Sequence, residues 1–180
     1  YHTAILYPDR RVLGAVVQHI NAASYSFTGA SDHLVSEAFY LDDPDGNGVE
    51  LYRDRPRAEW SWTQGAVEMA SLPLDLHGIL EGAAPTFTAA PDTTRVGHVH
   101  LQVSDLAAAE AFYMGVVGFA LTTRFGAAAS FVSAGGYHHH LGLNMWRARG
   151  QAASPRTHAG IDAFEIVLPT DADAASARAR

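Results

Sequence analysis

Glu50 has unusual neighbours. It stands between Val49 and Leu51 in an apolar, strand-like run. A carboxylate there either faces solvent on an edge strand or is paired inside a hollow. His2 is also flanked by strand-like residues and, taken alone, reads as an ordinary structural histidine. Together the two say more. A His on the first strand and a Glu on the last strand of one small sheet can converge on a single metal ion. Two His and one carboxylate, with positions left open, form a ligand set of non-haem Fe(II) sites. The second His has a natural candidate in His98, which repeats the place of His2 later in the chain. Histidine is the commonest metal ligand, and ten of them in 180 residues justify the search.

The elements that must position these residues come in a repeat. YHTAILYPD (Tyr1–Asp9) aligns with GHVHLQVSD (Gly97–Asp105), so that His2 meets His98 and Asp9 meets Asp105. Each segment is a short strand that ends in an Asp suited to cap a helix. A 3.6-period apolar stripe follows both times: Leu13, Val16, Val17 and Ile20 in the first copy, Leu106, Ala109, Phe112, Tyr113, Val116 and Val117 in the second. Gly118 is placed to stop the second helix. Strand-like runs come next, His33–Leu41 and Val49–Tyr52 around the turn Asp43-Pro44-Asp45-Gly46-Asn47-Gly48, then Ala128–Ser133 and His140–Trp146 around Ala134-Gly135-Gly136. A third copy opens at Ile161, matched through Pro8 and Pro169. The pattern predicts a βαβββ module over 1–55, a connector over 56–95 with a short helix near Leu74–Leu80, a second module over 96–150, and the start of a further, incomplete one over 160–180. Such a unit cannot cover both faces of its sheet alone. The expected fold class is therefore α+β, with tandem βαβββ modules forming a cupped mixed sheet, helices outside and a ligand in the hollow.

Composition removes other chemistries. There is no cysteine, which excludes disulfides, zinc thiolates, iron–sulfur clusters and a thiol nucleophile. All 12 basic residues are Arg, so no lysine Schiff base or P-loop lysine exists, and a net charge of −7 disfavours nucleic acid. No apolar run is long enough to span a membrane, and no signal-like segment opens the chain, so a cytoplasmic location is the default expectation. Both ends read as cut from something longer.

The stretch Ser31–Tyr52, SDHLVSEAFYLDDPDGNGVELY, resembles the extradiol ring-cleavage signature of the vicinal oxygen chelate (glyoxalase/bleomycin resistance/extradiol dioxygenase) superfamily: His33, then Phe39-Tyr40, then Asp43-Pro44-Asp45-Gly46, then Glu50. Ser31 is a small departure from the residues usual two places before the His. With VGHVHLQVSDL and FVSAGGYHHHLGLNMW, the chain is similar over nearly its whole length to bacterial catechol-2,3-dioxygenases of the CatE type. These have four βαβββ modules, of which this chain would supply the second, the third and the opening of the fourth. The resemblance implies a site with Fe(II), or alternatively Mn, Ni or Zn, that opens a small aromatic diol with O2. It implies that His2 and Glu50 are metal ligands, that His33 handles protons and oxygen beside the metal, and that Tyr40 hydrogen-bonds the bound substrate oxygen. The third ligand comes from the first strand of the paired module. It is His98 if the 96–150 module is the partner, with His100 one pleat away able to exchange roles, and a residue outside this chain otherwise. A homo-oligomer is compatible with this reading, and no nucleic-acid or membrane partner is expected.

His33 and Tyr40 are an odd number of residues apart, so a flat strand would face them oppositely, and a bulge or break near Ser36-Glu37 is required. In the second module Gly142 takes the place of Glu50, and in the third copy Ala163 takes that of His2, so a second complete site is not expected. His138-His139-His140 reads as a polar strand end, with His140 turned inward. His19, His77 and His158 read as surface residues, and Trp60 and Trp62 as connector packing. Two other readings compete: a glyoxalase-like metal-dependent isomerase, which would need two carboxylates and two His, and a metal-free, drug-sequestering binding protein of the same fold.

Overall fold

Asp9 starts the first helix. Its carboxylate accepts the backbone N–H groups of Arg11 and Val12, each at 2.9 Å, and so closes the N-terminal turn. The computed structural model describes residues 1–152 and 160–179; His158 lies outside them. In chain order the first elements are β1 (His2–Leu6), α1 (Arg10–Ala22), β2 (Gly29–Asp32), β3 (Ser36–Asp42) and β4 (Gly48–Asp54), in the order βαβββ. Two tiny strands, β5 (Trp62–Thr63) and β6 (Ala66–Val67), and the helix α2 (Leu76–Glu81) follow. Then come β7 (Arg95–Gln102), α3 (Leu106–Glu110), β8 (Ala120–Phe125), β9 (Ala129–Ser133) and β10 (Leu141–Asn144), again βαβββ, and lastly α4 (Asp171–Arg178).

The chain divides into two units, residues 2–99 and residues 100–180 with Tyr1. In the first, the strand order is β2-β3-β4-β1-β7. β1 and β4 run parallel with Ala4 opposite Glu50, while β3 is antiparallel to β4 with Tyr40 opposite Glu50. One face of this sheet packs on the α1 stripe, in a core of Tyr7, Leu13, Val16, Val17, Phe39, Leu51 and Ile79. The other face carries Ala4, Leu6, Ala38 and Tyr52. Strand alternation therefore puts Tyr40 and Glu50 on the face away from the helix. The α+β class and the mixed βαβββ sheet are those expected from the repeat.

In the second unit the order is β7-β10-β9-β8. Its helix departs from the expected stripe. After one α-turn the chain continues as a π-helix over Ala111–Val116, ended by Gly118 at φ 94°. The wider π turn rotates the side chains out of a 3.6-residue period. Leu106 is buried, but Phe112 and Val116 are exposed.

Three other expectations are corrected. The run His33–Leu41 is not one strand. β2 ends at Asp32 and β3 begins at Ser36, with Leu34 at φ 69° between them. The required break therefore falls at His33–Val35, just before Ser36-Glu37. The segment from Ile161 to Leu168 forms no strand, and only the helix α4 follows it. His138 and His139 are buried, whereas His140 is only half-buried. No helix among the described residues is long and apolar enough to cross a membrane.

Candidate metal centre

Three side chains of the first unit meet on the sheet face opposite α1. Glu50 extends from β4, and its Oε2 lies 2.8 Å from His2 Nε2 of β1 and 3.0 Å from His98 Nε2 of β7. Glu50 and His98 are almost wholly buried, and His2 is 19% exposed on its open side. The ligand nitrogens of His2 and His98 lie within 4.8 Å of one another. The parallel register explains the convergence. Ala4, opposite Glu50, is small and leaves room for the carboxylate, while His2, one pleat earlier, reaches it diagonally.

Burial alone would raise the Glu50 pKa. The charge of His98, hydrogen bonds from His2 and His98, and the charge of His2 outweigh it and hold the carboxyl well below its usual range. Glu50 is therefore an anion in a dry setting, which suits a cation. Two ligands at about 2.1 Å on adjacent corners of an octahedron stand about 3 Å apart. The two His–Glu separations match that spacing, so the donor set fits a metal ion.

Tyr40 stands opposite Glu50 and hydrogen-bonds it. Burial first, then the Glu50 charge and this hydrogen bond, push its hydroxyl pKa well above the usual value, so it keeps its proton. On its other side the Tyr40 hydroxyl is 2.7 Å from His33 Nε2. The break at His33–Val35 makes this contact, because it lifts His33 out of the strand alternation. The turn is held by Asp32, whose Oδ1 accepts the Leu34 N–H at 2.9 Å. Asp32 is paired in turn with Arg55 at 2.6 Å. Arg55 belongs to a larger cluster in which Arg10, Arg53 and Arg55 surround the buried carboxylate of Glu37 at 3.0, 2.6 and 3.4 Å.

Some of this was not foreseen from the residues. Tyr52 is fully buried, with its ring 4.7 Å from that of His98. A Cβ on Gly97 would collide with the Tyr52 hydroxyl. A glycine inside a strand, next to a candidate ligand, is the one signal that could have revealed the contact. The Glu37 cluster links segments far apart in the chain, and no local pattern announces it. Trp60 is buried with its Nε1 donating to the Arg55 carbonyl at 3.0 Å, whereas Trp62 is largely exposed, as are His19 and His77.

The second unit lacks the carboxylate. A Cβ at Gly142 would lie only 2.4–2.6 Å from three atoms of the His100 ring, so His100 fills the volume that a longer side chain would need. His100 instead meets His139, Nε2 to Nε2, at 3.2 Å.

Residues 95–180 match the model of the Glyoxalase/Bleomycin resistance protein/Dioxygenase superfamily. Over 172 residues the chain is 46% identical to the catechol-2,3-dioxygenase of Bacillus subtilis (strain 168), covering 94% of this chain and 60% of that protein. The chain thus spans only part of the length of this relative. Among solved structures, a Bacillus subtilis subsp. subtilis strain 168 protein assigned as a dioxygenase aligns at 15% identity and a TM-score of 0.47, over 83% of this chain and 43% of that one. Methylmalonyl-CoA epimerase from Mycobacterium tuberculosis aligns at 14% identity and a TM-score of 0.42, over 79% and 84%.

Proposed function

Because this chain belongs to the glyoxalase/bleomycin resistance protein/dioxygenase superfamily, we propose that it carries the metal site of an extradiol ring-cleaving dioxygenase. In this reading His2, Glu50 and His98 hold a non-haem Fe(II), and the substrates are a small aromatic diol of the catechol type and O2. The observation that supports it best is the convergence of His2 and His98 on the buried Glu50 carboxylate, with Tyr40 and His33 lined up on the same side.

Bound by three protein ligands, Fe(II) would acidify the diol hydroxyls and supply the redox chemistry toward O2. The remaining work falls to the protein. Tyr40 keeps its proton and so donates a hydrogen bond to an oxygen placed beside Glu50. His33 Nε2, 2.7 Å from that hydroxyl, is placed to hold the proton a diol must shed and to return it later. With a second proton on Nε2, His33 donates to the Tyr40 oxygen, which leaves the single Tyr40 proton for the substrate oxygen, or for Glu50 when no substrate is bound. The buried walls formed by Ala4, Ala38 and Tyr52 keep water from competing.

The test is anaerobic loading with Fe(II), then addition of catechol and O2. The expected result is one O2 consumed per ring opened, with both oxygen atoms in the product. Turnover with Ni or Zn and no O2 uptake would overturn the assignment in favour of an isomerase. Catechol binding without metal would overturn it in favour of a binding protein. Gly142 weighs against the isomerase, which would need a second carboxylate.

A further inference from the structure

His33 has a second partner that lies outside the module. Its Nδ1 is 2.7 Å from the backbone carbonyl oxygen of Ala70, in the segment after β6. A carbonyl oxygen has no proton to give, so the proton of this hydrogen bond sits on Nδ1. The neutral ring must then present its Nε2 lone pair to Tyr40. The carbonyl is held in place by a short ladder. Leu72 N–H donates to the Asp32 carbonyl at 2.9 Å, Asp32 N–H returns to the Leu72 carbonyl at 3.0 Å, and Ala70 N–H points to the His33 carbonyl at 3.4 Å. Ser31 Oγ adds a bond to the Leu72 carbonyl at 3.4 Å.

We propose that residues 70–72 act as a positioning strap that sets the tautomer of His33, locking the proton on Nδ1 so that Nε2 is free to take one from the substrate side. The consequence for turnover rests on the dioxygenase reading; the tautomer itself does not. Ala70 is thus a positioning residue acting through its carbonyl, and the side chain at 70 is immaterial. The turn that holds His33 is braced on its other side by the Asp32–Arg55 pair, so the ring sits between two anchors that no module-level pattern links.

The experiment has two readouts. Long-range 1H–15N correlation of histidine-labelled protein, assigned by the loss of a signal in His33→Gln, reports which ring nitrogen carries the proton. The expected result is a protonated Nδ1 and a bare Nε2. Leu72→Pro removes the ladder N–H, and because Leu72 is 44% exposed it does not empty the core. It should mix the two tautomers and lower kcat roughly 10–100-fold, the scale of a misplaced catalytic group, with KM and iron content close to wild type. Leu72→Ala keeps the N–H and should behave as wild type. Replacing Ser71 by its α-hydroxy acid turns the Ala70 carbonyl into a weaker ester acceptor without removing any ladder N–H named above, and it should reproduce the tautomer mixing if the proline variant does not fold. An Nε2-protonated ring in the wild type, or an unchanged tautomer in both the proline and ester variants, would overturn the proposal. A chain that shows the expected tautomer but no turnover with Fe(II), catechol and O2 would instead sink the dioxygenase reading and leave the strap standing.

Discussion

Glu50→Gln separates the charge of the central carboxylate from its shape. The amide fills the same volume beside Ala4, but it carries no charge and competes poorly for a divalent ion. At a free metal concentration one hundred times Kd, a ligand that binds only the folded state adds ~2.7 kcal/mol of stability. For a chain of this size that raises Tm by about 5–11 °C. Loss of a residue that merely orients a ligand weakens metal binding by roughly 10–100-fold, and loss of a direct ligand should cost at least the upper end. At the same metal concentration the variant would then sit near half saturation, where the stabilisation falls to ~0.4 kcal/mol and the Tm rise to below about 2 °C. The assay is anaerobic thermal unfolding with and without Fe(II) or Mn(II), followed by circular dichroism, together with metal analysis after gel filtration. Without metal, the variant should melt below the wild-type temperature at neutral pH, because it removes one partner of a buried cluster and leaves His2 and His98 without the carboxylate charge. An equal metal-induced rise in wild type and Glu50→Gln would refute the argument.

His33→Ala should leave iron content near wild type while kcat falls roughly 10²–10⁴-fold with a modest change in KM, read by O2 uptake; loss of iron would instead make His33 a ligand. The metal-free protein should lose stability in acid through Glu50. Its folded pKa lies well below the ordinary value of about 4.5, so the unfolded chain binds the proton first. This contribution is complete above that value and drains away as pH falls through the depressed folded one, and denaturant titrations between neutral pH and pH 3 should show a slope that Glu50→Gln lacks. Glu37→Gln should destabilise the fold by about 3 kcal/mol in urea melts, the low end for opening a buried ion cluster, because Arg10 and Arg55 remain partly solvated.

Much of the architecture was legible because it repeats. The paired Asp caps, the helix stripe of α1 and the aligned His2 and His98 are local patterns whose physics is complete within a few residues. Glu50 was legible for a related reason: a carboxylate between two aliphatic residues needs a partner on the buried face of its strand. The odd spacing of His33 and Tyr40 demanded a break and placed it almost correctly. The left-handed turn at Leu34 was harder to see, since it depends on Asp32 accepting a backbone N–H and on Arg55 holding Asp32. The helix of the second module misled for the opposite reason. Its apolar period is genuine, but a π-helical turn changes which side chains share a face, and periodicity cannot detect that change. The run near Ile161 matches the repeat in sequence but forms no strand.

The exchange of volumes between the two modules couples residues that a single substitution would treat as independent. In one module a small Ala4 faces the long Glu50; in the other a large His100 occupies the room beside Gly142. Gly142→Glu alone would drive a side chain into an imidazole ring. His100→Ala alone would leave an unfilled hole costing a few kcal/mol. Only the pair His100→Ala with Gly142→Glu is expected to restore packing, and urea melts of the two single variants and the double would show this as strong positive coupling. The two modules therefore differ at this place by two coupled residues, and no single substitution turns one arrangement into the other.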